Sequence, residues 1–117
     1  MYIEADPNLF LRAVNNLLSN AFKYSKENTV VEFNISKEIF NNTPYAVLSV
    51  SNIPNDPISK DDLENFFERL YKKDSSRQKE GSGLGLSIVK NIVKLHGGFV
   101  KAYKQDNKLV FKVYHPC

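Results

Sequence analysis

The stretch Gly81-Ser82-Gly83-Leu84-Gly85-Leu86-Ser87-Ile88-Val89-Lys90-Asn91-Ile92-Val93-Lys94-Leu95-His96-Gly97-Gly98 decides how the rest of the chain is read. Three glycines fall within five residues. They run directly into an apolar periodicity, Leu84, Ile88, Val89, Ile92, Val93 and Leu95, at helical spacing. His96-Gly97-Gly98 then closes the helix with glycine at its C-terminal cap. Glycines let backbone amides approach an anion closely, and a helix N-terminus adds unsatisfied N–H groups and a positive dipole. Such a helix start suits the phosphates of a nucleotide, although a merely flexible loop would also be glycine-rich. No Gly-Lys-Ser/Thr follows, which excludes a Walker loop. The glycines fall at the end of a polar connector, 72–83, and do not follow a strand, which argues against a dinucleotide fingerprint.

Upstream lies a second polar signal. Asp6-Pro7 predicts a helix start, with Asp6 as N-cap and Pro7 in the first turn, and the helix should run to about Tyr24. Phe10, Val14, Leu17, Leu18 and Ala21 fall on one side, and Arg12, Asn16, Asn20 and Lys23 on the other. A solvated helix face is the ordinary reading of such a stripe. Asparagine is a mediocre helix former, however, and Asn15, Asn16 and Asn20 inside one helix cost stability. An asparagine oxygen is a hard neutral ligand, suited to Mg²⁺ whose charge phosphates already balance. Lys23 offers a compact point charge for a phosphate.

The remaining elements follow from alternation and turn chemistry. Residues 2–5 read as a short strand. Residues 29–36 alternate, Val31, Phe33 and Ile35 against Glu32, Asn34 and Ser36, as a half-buried strand should. A turn at Asn41-Asn42-Thr43-Pro44 leads to a second strand at 45–51. Ser59 caps a helix expected over 60–71, and a hairpin at 99–103 and 109–114 ends the chain. The order β-α-β-β-α-α-β-β implies an α+β fold: a two-layer sandwich with a mixed, mostly antiparallel sheet and about three helices on one face.

Composition narrows the function classes. The chain has 117 residues, 42% hydrophobic and 25% charged, which fits one domain over 1–117. The lone cysteine, Cys117, excludes a disulfide framework and a Cys-rich metal knuckle. A net charge of +3 without a basic stripe does not suggest a nucleic-acid partner. No apolar run approaches the roughly 20 residues of a membrane helix, and the first residues lack the plan of a signal peptide. The abrupt start reads as a domain cut from a longer chain.

Taken together, the motifs resemble a family. Asn15-Asn16-Leu17-Leu18-Ser19-Asn20-Ala21-Phe22-Lys23-Tyr24-Ser25 resembles the N box of sensor histidine kinases. Phe66-Phe67-Glu68-Arg69-Leu70-Tyr71 is similar to their F box, and the glycine stretch with Leu95-His96-Gly97-Gly98 to their G2 box and its helix. Order and spacing agree from Asp6 to Tyr114. The resemblance implies the catalytic ATP-binding domain of a two-component sensor kinase, with the Bergerat fold shared by gyrase, Hsp90 and MutL-type ATPases. It implies ATP and Mg²⁺ as ligands, Asn20 on the metal, Asn16 near the phosphates, Lys23 on a phosphate and Tyr24 near adenine or ribose. Gly81, Ser82, Gly83, Leu84, Gly85 and Leu86 would line the triphosphate. Residues 72–80 would form the ATP lid, with Arg77 or Lys79 on the γ-phosphate and Phe67 packed beneath it.

One box departs from the pattern. Where the family's G1 box places an aspartate and two glycines, this chain has Ser51-Asn52-Ile53-Pro54-Asn55-Asp56-Pro57-Ile58. Asn52 is the candidate for the adenine contact, because an amide oxygen accepts the same hydrogen bond, and Asp56 competes with it. The expected activity is transfer of the γ-phosphoryl group to a histidine outside this stretch, on a dimerisation and phosphoacceptor domain of the same parent chain. A response regulator would act downstream. The domain is expected in the cytoplasm, with any membrane contact made by parent segments. Hydrolysis is disfavoured, since Asn16 stands where hydrolytic relatives carry a water-activating glutamate. A non-catalytic docking module, or another kinase or ATPase of the same fold, is the alternative.

Overall fold

The computed structural model describes residues 2–68 and 85–117. Helix α1 (Pro7–Tyr24) starts where the sequence says it should: Asp6 accepts from the amides of Asn8 and Leu9 at 2.9 and 3.1 Å, with proline in the first turn. Strands β1 (Glu32–Phe40) and β2 (Thr43–Asn52) form a hairpin around Asn41-Asn42, whose φ values of 50° and 64° are ones asparagine tolerates. Helix α2 (Lys60–Asn65) opens on a capping box in which Ser59 and Asp62 each accept the other's amide. Helix α3 (Gly85–Leu95), β3 (Phe99–Gln105) and β4 (Lys108–Pro116) complete the chain.

The four strands pair antiparallel throughout in the order β1-β2-β4-β3. Register places Leu48 and Val50 of β2 beside Val113 and Phe111 of β4, on one face. Those residues join Ala13, Leu17 and Ala21 of α1 and Leu86, Val89, Ile92 and Val93 of α3 in a single core. The helices therefore cover one face of the sheet, and the α+β two-layer expectation holds. The opposite face carries rings instead: Phe99 stacks on Tyr114 at 4.4 Å between centroids, flanked by Phe40 and Tyr45. The Lys101 ammonium lies 4.9 Å from the Phe40 ring centre.

Helix α3 stops as its glycines predict. Gly97 takes φ +79° and donates to Lys94 O, while Gly98 donates to Val93 O at 2.9 Å, closing both bonds of a Schellman motif. Gly98 has a second reason to be glycine: a Cβ there would sit 2.0 Å from the Tyr114 carbonyl oxygen.

Three expectations are corrected. Residues 2–5 form no strand. They lead into Asp6, whose amide donates to His96 Nε2 at 3.1 Å, so this segment is tied to the end of α3 and not to a sheet edge. Strand β1 occupies Glu32–Phe40 and not 29–36, because its pairing with β2 ends at Glu32 and Ser51 and residues 53–55 turn to the end of α1, leaving 29–31 no strand partner. Its inward residues are also more open than half-buried, Phe33 at 40% and Ile35 at 61% exposure. Helix α2 ends at Asn65, short of Tyr71. A tight turn with Glu68 N donating to Asn65 O follows, and it sets consecutive Phe66 and Phe67 edge-on to Phe111 at 5.5 and 5.6 Å. One helix face cannot present two adjacent side chains to the same ring.

Candidate functional site

The asparagines of α1 earn their cost in helix propensity only through what stands opposite them. Leu17 and Ala21 anchor the buried side of the helix, fully enclosed, so Asn16 and Asn20 are carried one turn apart along its flank, each half-buried. Asn16 Nδ2 reaches across to donate to the carbonyl of Gly85, the first residue of α3, at 3.4 Å. The two polar signals of the sequence are thus neighbours in space, although 69 residues separate them. Helix α1 carries no acidic side chain, and Arg12 and Lys23 make its polar flank cationic. Lys23 is exposed, its ammonium 5.8 Å from the Tyr24 ring centre.

At Gly85 a Cβ would meet nothing within 4 Å among the described residues, so the space beside its backbone is open. A triphosphate needs that kind of access at a helix N-terminus. Leu86 differs from its neighbour: its side chain is part of the core, which leaves only its backbone for a ligand. Arg77, Lys79, Gly81, Ser82, Gly83, Leu84 and the lid assignment at 72–80 lie outside the described residues.

The departing G1 stretch is held by backbone. Lys26 N donates to Ile53 O at 2.8 Å and Asn55 N to Tyr24 O at 2.9 Å, with a bridge between Ser25 and Pro54. Residues 53–55 therefore lie along the last residues of α1, and the end of β2 is fixed beside the end of that helix. Sequence reasoning missed this clasp, because main-chain bonds leave no side-chain signature. Asn52 follows Leu48 and Val50 on the helix-covered face and is 2% exposed. Among the described residues its Nδ2 has no hydrogen-bond partner. A buried donor without a partner costs roughly 1–3 kcal/mol, and a base edge placed against it would remove that cost. Asp56 is half-buried and lies four residues further on.

The donor set also bears on the metal. Among the described residues no three of His, Cys, Asp or Glu gather to hold an ion. Asn20 brings a neutral oxygen and no charge, which fits a Mg²⁺ delivered with its phosphates and does not fit a bare cation.

Neither histidine is free to act as an acceptor. His96 donates from Nδ1 to Ile92 O at 2.8 Å and accepts from Asp6 N at Nε2. His115 is 5% exposed, packed against His96 and Phe10.

Comparison with known proteins gives the family and agrees with the fold. Residues 5–116 match the family described as histidine kinase-, DNA gyrase B-, and HSP90-like ATPase. The chain is 43% identical to the probable sensor kinase SilS of Salmonella typhimurium over 85% of its own length and 19% of that relative's. It is 37% identical to the probable sensor protein PcoS of Escherichia coli, covering 95% of the chain and 23% of that relative. The chain therefore spans about a quarter or less of these curated relatives. Among solved structures, a mycobacterial sensor histidine kinase, MprB, superposes with a TM-score of 0.79 at 28% identity, over 97% of this chain and 76% of that one. The nucleotide-free catalytic domain of histidine kinase ThkA gives 0.78 at 27% identity, over 97% and 70%.

Proposed function

The chain belongs to the histidine kinase-, DNA gyrase B- and HSP90-like ATPase family, and on that premise we propose that it binds Mg-ATP between α1 and the start of α3 and donates the γ-phosphoryl group to a histidine on another domain. The observation that carries this reading is the contact from Asn16 to Gly85, which puts the polar flank of α1 beside the glycine-opened helix start. The backbone of Gly85 and the residues before it would hold the phosphates, Lys23 would add a point charge, and Asn20 would supply one ligand to the metal. Bound Mg²⁺ would bridge and neutralise phosphate oxygens, the chemistry it contributes in phosphoryl transfer generally. Asn52 would meet the base, with Tyr24 beside it.

Transfer is favoured over hydrolysis because Asn16 has no basic atom with which to activate water. An acceptor elsewhere is favoured because both imidazoles here are already bonded or enclosed. The parent would be a sensor kinase like the relatives above, in which a dimerisation and phosphoacceptor domain and a response regulator complete the relay. Any membrane anchor would belong to that parent: no described helix is long and apolar enough to cross a membrane. With ATP as donor, the domain would work in the cytoplasm.

Titration calorimetry tests the reading. ATP with Mg²⁺ is expected to bind, and EDTA or Asn20→Ala to weaken binding by about tenfold or more, as loss of a ligand to a charged group does. No heat at millimolar ATP from a folded sample would overturn it. The altered stretch 51–58 would then mark a docking module.

A further inference from the structure

The exposed apolar side chains of this chain gather along one border. Phe33, Ile35 and Ile39 of β1 are all exposed, Ile39 most of all at 75%, and register sets them on the helix-covered side beside Val50, Leu48 and Pro44. Leu11 and Phe22 of α1 are exposed as well, and they fall with half-buried Leu18 on the side of the helix opposite Asn16. Asn16 faces α3, and α1 packs on β2, so that opposite side overlooks β1. Single exposed apolar residues are ordinary, but a strip with a strand for its floor and a helix for its wall marks a surface that another chain covers.

The main chain of β1 is equally open. It pairs with β2 alone, without a break from Glu32 to Phe40, and contains neither proline nor glycine. Its outer amides and carbonyls are therefore a template for one more strand.

The charges on β1 say which strand fits. Two copies related by a twofold axis pair antiparallel, and residues opposite one another share a face. Three such registers keep seven or more of the nine residues paired. Centred on Ile35, the pairing sets Glu32 against the partner's Glu38. Centred on Lys37, it sets two lysines against each other. Centred on Ser36, all nine residues pair and no like charges stand opposite. Phe33 then lies opposite the partner's Ile39, and Asn34 opposite the partner's Glu38, each twice across the axis. Lys37, a charge on the apolar side, lies beside the partner's Ile35, where its stem packs and its head reaches water.

We propose that β1 is an interface for a second copy of this chain, paired antiparallel about Ser36, so that the two four-stranded sheets join edge to edge. The proposal is independent of the nucleotide site, which lies on the other side of α1.

Sedimentation velocity of the 117-residue chain from about 5 µM to about 1 mM tests it, since one strand pair is a small interface and holds weakly. A monomer is expected at the low end, and a dimer that grows with concentration without larger species, because each chain has one β1. Ser36→Lys sets two lysines opposite at the axis and is expected to weaken the dimer about threefold or more. Asn34→Lys sets a lysine opposite the partner's Glu38 at both ends and is expected to tighten it about threefold or more. Both positions are exposed, so both variants are expected to fold, as circular dichroism would check; if one does not, the other decides. A dimer that either folded variant leaves unmoved, or moves the wrong way, overturns the proposal. A monomer throughout also overturns it and leaves this edge to an extended segment of another sequence.

Discussion

Strands β1 and β4 are both nine residues long and lie in the same sheet, yet they live in different environments. On the helix-covered face Phe111 of β4 is fully enclosed, while Ile35 of β1 is 61% exposed. The cause is position. Strand β4 has a hydrogen-bonded neighbour on each side, α3 and the Phe66-Phe67 turn above, and the stacked ring of Phe99 below. Strand β1 is an edge, paired only with β2, and its apolar side chains extend past the reach of the helix layer. Alternation decides which face a residue points to, and neighbours decide whether that face is dry.

Substitutions along the two strands should separate them widely. Phe111→Ala removes the ring on which Phe66 and Phe67 rest and should cost about 3–5 kcal/mol in chemical denaturation. An effect below about 1 kcal/mol would mean the core is not organised around that ring. Gly98→Ala forces a methyl into the Tyr114 carbonyl and should cost on the order of 1–3 kcal/mol, as overpacking does, read from the same denaturation midpoint.

The ring-covered face should reveal itself at high pH. Burial and the charge of Glu38 raise the Tyr114 hydroxyl above its ordinary 10.0, against a smaller opposing pull from Lys112. Burial opposes the charge on Lys112, but a hydrogen bond with Tyr103 and nearby negative groups prevail, so it too is raised above 10.5. A group whose pKa is raised on folding stabilises fully below its unfolded value and loses that contribution as pH climbs through the folded one. Stability should therefore hold steady up to about pH 10 and decline above it, and Tyr114→Phe should flatten the decline. Unchanged alkaline melting curves in that variant would remove Tyr114 as a cause. The smallest effect is expected at the edge: Ile35→Thr should shift stability by no more than about 0.5 kcal/mol, and a shift as large as that of Phe111→Ala would show that β1 is covered in solution.

Much of this was legible beforehand, for local reasons. Asp6-Pro7, Ser59 with Asp62, Asn41-Asn42 and Gly97-Gly98 each act through bonds within a few residues, so their sequence patterns foretold the caps and turns that form. The apolar sides of α1 and α3 were equally readable from their spacing. Less legible was anything set by a partner distant in sequence. The strand expected at 2–5 has the composition of one but pairs with no strand, and Asp6 just after it bonds to His96. The helix expected to reach Tyr71 has the periodicity, but Phe111 draws Phe66 and Phe67 out of it.

The site divides along the same line. Sequence alone determined its ingredients: a glycine run at a helix start, a flank of asparagines with a lysine, and an asparagine at the end of a strand. Tertiary structure alone decided that Asn16 touches Gly85, that residues 53–55 are clasped to the end of α1, and that Asn52 is enclosed with its amide nitrogen unpartnered among the described residues. The physical reason is range. Capping, turn and periodicity signals are energies of neighbouring residues and are written in the chain, whereas burial and cross-helix contacts depend on which surfaces the fold brings together.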